Sequence, residues 1–213
     1  MQRRQFFASS GLVLGAWAAF NGNVHAATPI ENSDYVKLAR PVATEAPAGK
    51  VEVVDFFWYN CPHCFAFEPA FEAWVQKMPD YVSLRRVPVQ FTPAFVPQQK
   101  LYYALEAMGK VDDMHTKVFN AIHVEHQSLQ TPEGIFAWIG AQGLDKAKFI
   151  DLFNSFAVAA KVKAAADLQN AYQVDGVPAL GVAGLYYTSS SISGSMARSL
   201  DAVDYLVDLQ HKA

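Results

Sequence analysis

Val51-Glu52-Val53-Val54-Asp55-Phe56-Phe57-Trp58 runs into Tyr59-Asn60-Cys61-Pro62-His63-Cys64-Phe65-Ala66-Phe67. The first eight residues are apolar except for Glu52 and Asp55, the pattern of a strand covered on both faces. Past Cys64, Phe65, Phe67, Phe71, Trp74, Val75 and Met78 follow at helical spacing, and Pro62 suits a first helical position. The order is therefore buried strand, tight turn and a helix over 62–78, with the chain's only two cysteines at the helix start. Pro69 lies inside that helix, removes one backbone hydrogen bond and should kink it.

A cysteine at a helix N-cap is chemically poised. The sulfur of Cys61 can accept the backbone N–H groups of His63 and Cys64 and meets the positive end of the helix dipole. Both effects favour the thiolate, the reactive form. As a staple the pair is poor: closing so short a loop is worth only about 2 kcal/mol. A chain of 213 residues can bury its core without that help. Reactivity explains the pair better than stability does.

Outward from this stretch, Tyr35 to Leu38 reads as a short strand, Pro41 to Lys50 as a loop, and Tyr81 to Phe91 as a second core strand. Pro88, Pro93 and Pro97 then punctuate the chain and mark a boundary. From Gln98 to about Gln173 the periodicity is helical throughout, with starts at Thr131-Pro132-Glu133 and Asp145. Asp175-Gly176-Val177-Pro178 is a turn before two short strands, Ala179 to Val182 and Leu185 to Thr188. Ser189 to Ser195 reads as a loop, and Leu200 to Leu209 as a closing amphipathic helix.

The first 26 residues have the three parts of an export signal: Arg3 and Arg4, an apolar run from Phe6 to Phe20, and Val24-His25-Ala26 with cleavage expected after Ala26. Arg3-Arg4-Gln5-Phe6-Phe7 also fits a twin-arginine signal, so the general secretory and twin-arginine routes both stay open. The mature chain should be soluble, since no other stretch approaches ~18 apolar residues. The formal charge is −3, and losing two arginines with the leader makes it more negative. With no basic cluster in the body, nucleic acid is not an expected partner.

Cys61-Pro62-His63-Cys64 after an aromatic-rich strand, a helical insertion, Val177-Pro178 before a late hairpin and an export leader together resemble the DsbA family of thioredoxin-fold oxidoreductases. The resemblance covers nearly all of residues 30–213 and implies an α/β thioredoxin fold with an inserted all-helical subdomain. The corresponding division is 1–26 signal peptide, 27–97 and 174–213 thioredoxin-like, and 98–173 insertion.

In function it implies a monomeric periplasmic enzyme that donates its Cys61–Cys64 disulfide to reduced, unfolded exported proteins. A DsbB-type, quinone-linked membrane protein would reoxidise it, and no cofactor is needed. Cys61 would attack and leave, Cys64 would be the buried partner, and His63 would set the poise. Val177-Pro178, cis in this fold, would face the cysteines, and Val177, Pro178, Pro62 and His63 would hold the substrate.

Asp55 matches the buried acid that relays protons to the second cysteine; a strand-end carboxylate facing water stays open beside it. Glu68 matches another family acid, with a surface carboxylate the simpler expectation. His115, His123 and His126 are expected as surface helix histidines rather than metal ligands, and Trp58 and Tyr59 as surface residues flanking the motif. Two other functions fit the motif: a disulfide reductase or isomerase, and a non-catalytic thioredoxin-like protein that holds a metal.

Overall fold

The computed structural model describes residues 27–213. The expected leader, its cleavage point and its twin arginines lie outside them. Five strands form one mixed sheet: β1 (Val36–Lys37), β2 (Val51–Phe57), β3 (Val82–Pro88), β4 (Ala179–Val182) and β5 (Tyr186–Ser189), in the order β1-β5-β4-β2-β3. β2 is central, parallel to β3 and antiparallel to β4, and all seven of its residues are buried. Its apolar run thus serves a strand covered on both faces.

Among the described residues eight α-helices surround the sheet: α1 (Pro62–Val75), α2 (Val96–Ala107), α3 (Val111–His123), α4 (Pro132–Ala141), α5 (Lys146–Phe153), α6 (Phe156–Ala171), α7 (Ser190–Ser193) and α8 (Met196–His211). Val51 and Val53 pack with Phe67 and Phe71 of α1 and with Val203, Leu206 and Val207 of α8. Val54 and Phe56 face the opposite way, into the core formed with α2 to α6. Helix α1 touches both α3 and α8, and so stands between the two cores.

Local chemistry explains most boundaries. Thr131, Asp145 and Ser155 cap α4, α5 and α6, their side-chain oxygens accepting the N–H groups of Gly134, Lys148 and Val158. Helix α1 stops at Val75 rather than 78, because Met78 precedes Pro79 and the α conformation is disfavoured there. The second strand contracts to Val82–Pro88; Pro88 has no N–H to extend the ladder and ends this edge strand. Ser189–Ser195 is not simply a loop: it contains α7, closed by Gly194 at φ 83°. Helix α8 begins four residues before Leu200, where the Ser195 hydroxyl accepts the Arg198 N–H.

Candidate active site

The turn after β2 sets the site. Trp58 C=O accepts the N–H of Cys61, and Cys61, extended at φ −83° and ψ 118°, is the N-cap of α1. Pro62 occupies the first helical position, where a missing N–H costs nothing. The Cys64 N–H donates to Cys61 Sγ at 3.4 Å. Both cysteines are buried free thiols, whereas Pro62 and His63 between them are exposed. The reactive sulfur is thus fixed from within and approached past a proline and a histidine.

The distant turn completes the site. The Val177–Pro178 peptide bond is cis, and the Cys61 thiol donates to Val177 C=O at 3.4 Å across a separation of 116 residues. His63 and Pro178 border a groove of about 410 Å³ whose apolar floor includes Phe67, Met196 and Leu200. Cys61, Cys64, His63, Val177 and Pro178 are therefore brought together, as the family resemblance implied.

Electrostatics divide the two sulfurs. The Cys61 thiol is lowered to about 6, first by the hydrogen bond from Cys64, then by the backbone N–H groups of Cys64 and His63 and the charge of His63, against its own burial. Cys64 goes the other way. Burial pushes it far up, and the neighbouring Cys61 sulfur and the negative charge of Asp55 add to the shift.

Beneath Cys64 lies a charged cluster. Asp55 is buried rather than facing water. The β2–β3 register places Arg86 directly opposite it, with Arg86 Nε 3.9 Å from Asp55 Oδ2. Helical spacing stacks Cys64, Glu68 and Glu72 along one stripe of α1. Arg86 pairs closely with Glu72 and lies 4.0 Å from Glu68. Three carboxylates thus share one half-buried guanidinium. Burial above all raises the Asp55 carboxyl to about 8; the Glu68 and Glu72 charges add to this and Arg86 opposes it.

Several surface expectations are corrected here. Glu68 is buried, because the stripe that carries Cys64 points into the wedge between sheet and α3. His115 is buried as well, ringed by Phe57, Phe119 and Tyr102. Tyr59 is buried too, its hydroxyl 2.9 Å from His115 Nδ1 and its ring edge-on to Phe57 and Phe119. Trp58 is half-buried, stacked flat on Phe95 at 3.8 Å. His123 is half-buried, and its Nε2–H donates to the Tyr59 carbonyl at 2.8 Å while its ring stacks on Phe65. Of the three histidines only His126 is exposed.

Arg86 went unnoticed in the sequence. The signal was there: two adjacent arginines, Arg85 and Arg86, inside a core strand require buried or edge partners. His115 was also detectable, since it shares the i, i+4, i+7 face with Phe119 and Ile122.

The family model for the DSBA-like thioredoxin domain matches residues 52–206. The thiol:disulfide interchange protein DsbA of Burkholderia cepacia is 42% identical over 85% of this chain and 85% of its own length. That of Pseudomonas aeruginosa is 41% identical over 84% and 85%. The crystal structure of Pseudomonas aeruginosa DsbA superposes with a TM-score of 0.82 at 39% identity, covering 88% of this chain and 97% of that one. Reduced DsbA1 from Neisseria meningitidis superposes at 0.76 with 28% identity, covering 87% and 97%. With its cysteine pair at the N-cap of α1 and its thioredoxin-like sheet, the chain belongs to the DSBA-like thioredoxin domain family and is a protein-disulfide oxidoreductase.

Proposed function

We propose that the chain donates its Cys61–Cys64 disulfide to reduced exported proteins through a mixed disulfide. The observation that carries this is the asymmetry of the two sulfurs: Cys61 is stabilised as thiolate, and Cys64 is held protonated. Stabilising the reduced pair makes the disulfide easy to reduce, and hence oxidising.

A substrate thiolate attacks Cys61 Sγ. The Cys61–Cys64 bond breaks, and the electron pair leaves on Cys64, which takes a proton from the Asp55 carboxyl. A second substrate thiolate then attacks the substrate sulfur of the mixed disulfide and expels Cys61 as thiolate. The substrate dithiol loses two electrons and becomes a disulfide. The enzyme gains them as one thiolate and one thiol, and Asp55 regains a proton from solvent.

Val177 and Pro178 supply the second wall. The Val177 backbone pairs with an extended substrate segment, and Pro62 and His63 border its path. The enzyme works in the periplasm as a monomer after loss of residues 1–26, and a DsbB-type, quinone-linked membrane protein reoxidises it. No helix among the described residues is long and apolar enough to cross a membrane. Residues 27–97 and 174–213 form the catalytic unit, and 98–173 its helical insertion.

The test runs the exchange backwards, with an oxidised peptide. In Cys64→Ser the Cys61 thiolate should attack the peptide disulfide, expel one peptide thiolate and accumulate as a mixed disulfide that no Cys64 can resolve, and Cys61→Ser should abolish transfer. Equilibration with glutathione then fixes direction: a potential as low as that of a thioredoxin-type reductant would overturn the oxidase assignment.

A further inference from the structure

His115 has no part in the steps above, yet it is buried on α3 against the cluster beneath Cys64. Its Nδ1 lies 2.9 Å from the Tyr59 hydroxyl, and its Nε2 lies 3.3 Å from Glu68 Oε1. Neither Nε2 nor Oε1 has a hydrogen-bond partner of its own, so two buried polar atoms face each other with one proton able to serve both.

The position of that proton follows from the neighbours. Burial holds the Tyr59 hydroxyl well above the usual phenol range, so it stays protonated. Its one partner is His115, and donation to Nδ1 leaves no phenol proton stranded. A neutral imidazole then carries its own proton on Nε2, aimed at Glu68. The apolar ring of Phe57, Phe119 and Tyr102 keeps the imidazole neutral: burial lowers it, against the pull of Glu68.

The rest of the cluster shows why this matters. Asp55 on β2, Glu68 and Glu72 on α1 and Arg86 on β3 make three carboxylates around one cation, with Asp112 of α3 and Glu106 of α2 adding negative charge nearby. One carboxyl must hold a proton. Glu72 has Arg86 at close range. Asp55 has Arg86 at 3.9 Å, beyond hydrogen-bond reach. Glu68, at 4.0 Å from Arg86, is no better served by the guanidinium than Asp55 and depends first on His115, with the Glu72 carboxyl, itself raised by burial, as a lesser second partner.

We propose that His115 is a positioning residue: by donating Nε2–H to Glu68 it keeps that carboxyl ionised and so leaves the exchangeable proton on Asp55, beside Cys64. This rests on Asp55 as the proton donor of the proposed cycle. The lowered Glu68 and raised Asp55 carboxyls agree with it, the His115 contacts opposing Glu68's own burial.

Infrared difference spectra of the full chain at neutral pH test both layers through the C=O stretch of a protonated carboxyl. In the wild type the band should vanish in Asp55→Asn and survive in Glu68→Gln. The reverse overturns the Asp55 donor and the partition with it. In His115→Phe the band should instead survive Asp55→Asn and vanish with Glu68→Gln, and His115→Gln, which keeps an N–H, should return it to Asp55. A His115→Phe band still removed by Asp55→Asn overturns the role of His115 alone. Nitrogen NMR of the unmutated protein needs no variant to fold. His115 should be the neutral Nε2–H tautomer; an Nδ1–H tautomer or an imidazolium overturns the proposal.

Discussion

Asp55 and Arg86 face each other across the parallel β2–β3 ladder, yet their charged atoms stay 3.9 Å apart. The register brings them together and the competing Glu72 draws the guanidinium away. A carboxyl buried with so distant a counter-ion holds its proton near neutral pH, at about 8.

Asp55 therefore destabilises the fold as pH rises. Unfolded, it loses its proton near the ordinary aspartate value of about 3.9; folded, it keeps it to about 8. Between those limits the native state binds the extra proton, so stability falls with pH by at most ~1.4 kcal/mol per unit. Asp55→Asn should raise the melting temperature by an amount that grows from pH 4 to pH 8 and then levels off. A gain that does not change with pH would contradict the assigned burial cost. The same variant should slow the protonation of Cys64, seen in rapid-mixing oxidation of a reduced peptide.

Cys61 carries the opposite sign. Ultraviolet absorbance of the reduced protein should show one thiolate appearing with a midpoint near 6. An unfolded thiol titrates near 8.5. Stability of the reduced form relative to the oxidised form should therefore rise from pH 6 to about 8.5. Above that it should fall, because the folded state keeps Cys64 protonated. Denaturant midpoints of the two redox forms across pH check this; a difference that stays constant counts against it.

Gly184 joins β4 to β5 at φ +66°, and a Cβ there would lie 2.0 Å from the Val42 carbonyl oxygen. The Val42 N–H also donates to Gly184 C=O, so the approach is enforced by a backbone bond. Gly184→Ala should cost about 2 kcal/mol or more, from left-handed strain and displacement of the 41–44 segment. Chemical denaturation measures it, and a neutral result would mean that this segment is not docked.

Phe119 is fully buried, with its ring against Tyr59, His115 and Phe65. Phe119→Ala should cost about 3–5 kcal/mol, the transfer term plus a cavity beside the site. Amide exchange should accelerate first in α3 and in the Tyr59–Cys61 turn, which His123 of the same helix holds through the Tyr59 carbonyl.

The parts of the site that depend on local chemistry could be read from the sequence. A proline after an N-cap cysteine, an apolar strand before it and a proline before a late hairpin each say where the chain must go. The insertion was visible because its helices carry their own caps, at Thr131 and Asp145. What escaped depends on which face is covered. Helix α1 is buried along two faces, so Glu68 and Phe67 lie side by side in sequence and both point inward. No single amphipathic stripe describes such a helix, and Glu68 was therefore expected in water. Tyr59 was missed because α3, more than fifty residues away in the chain, closes over it; His115 was legible on the apolar face it shares with Phe119.

The separation of 116 residues from Cys61 to the carbonyl of Val177 also orders events in time. Chains are made, and domains fold, from the N-terminus. The cysteine pair and α1 exist before β4 and its preceding turn have been synthesised, so for that interval the nucleophilic sulfur has no second wall. Whatever guards a nascent thiolate from the wrong partner must act during that gap, because the molecule cannot chaperone its own active site until its last quarter arrives.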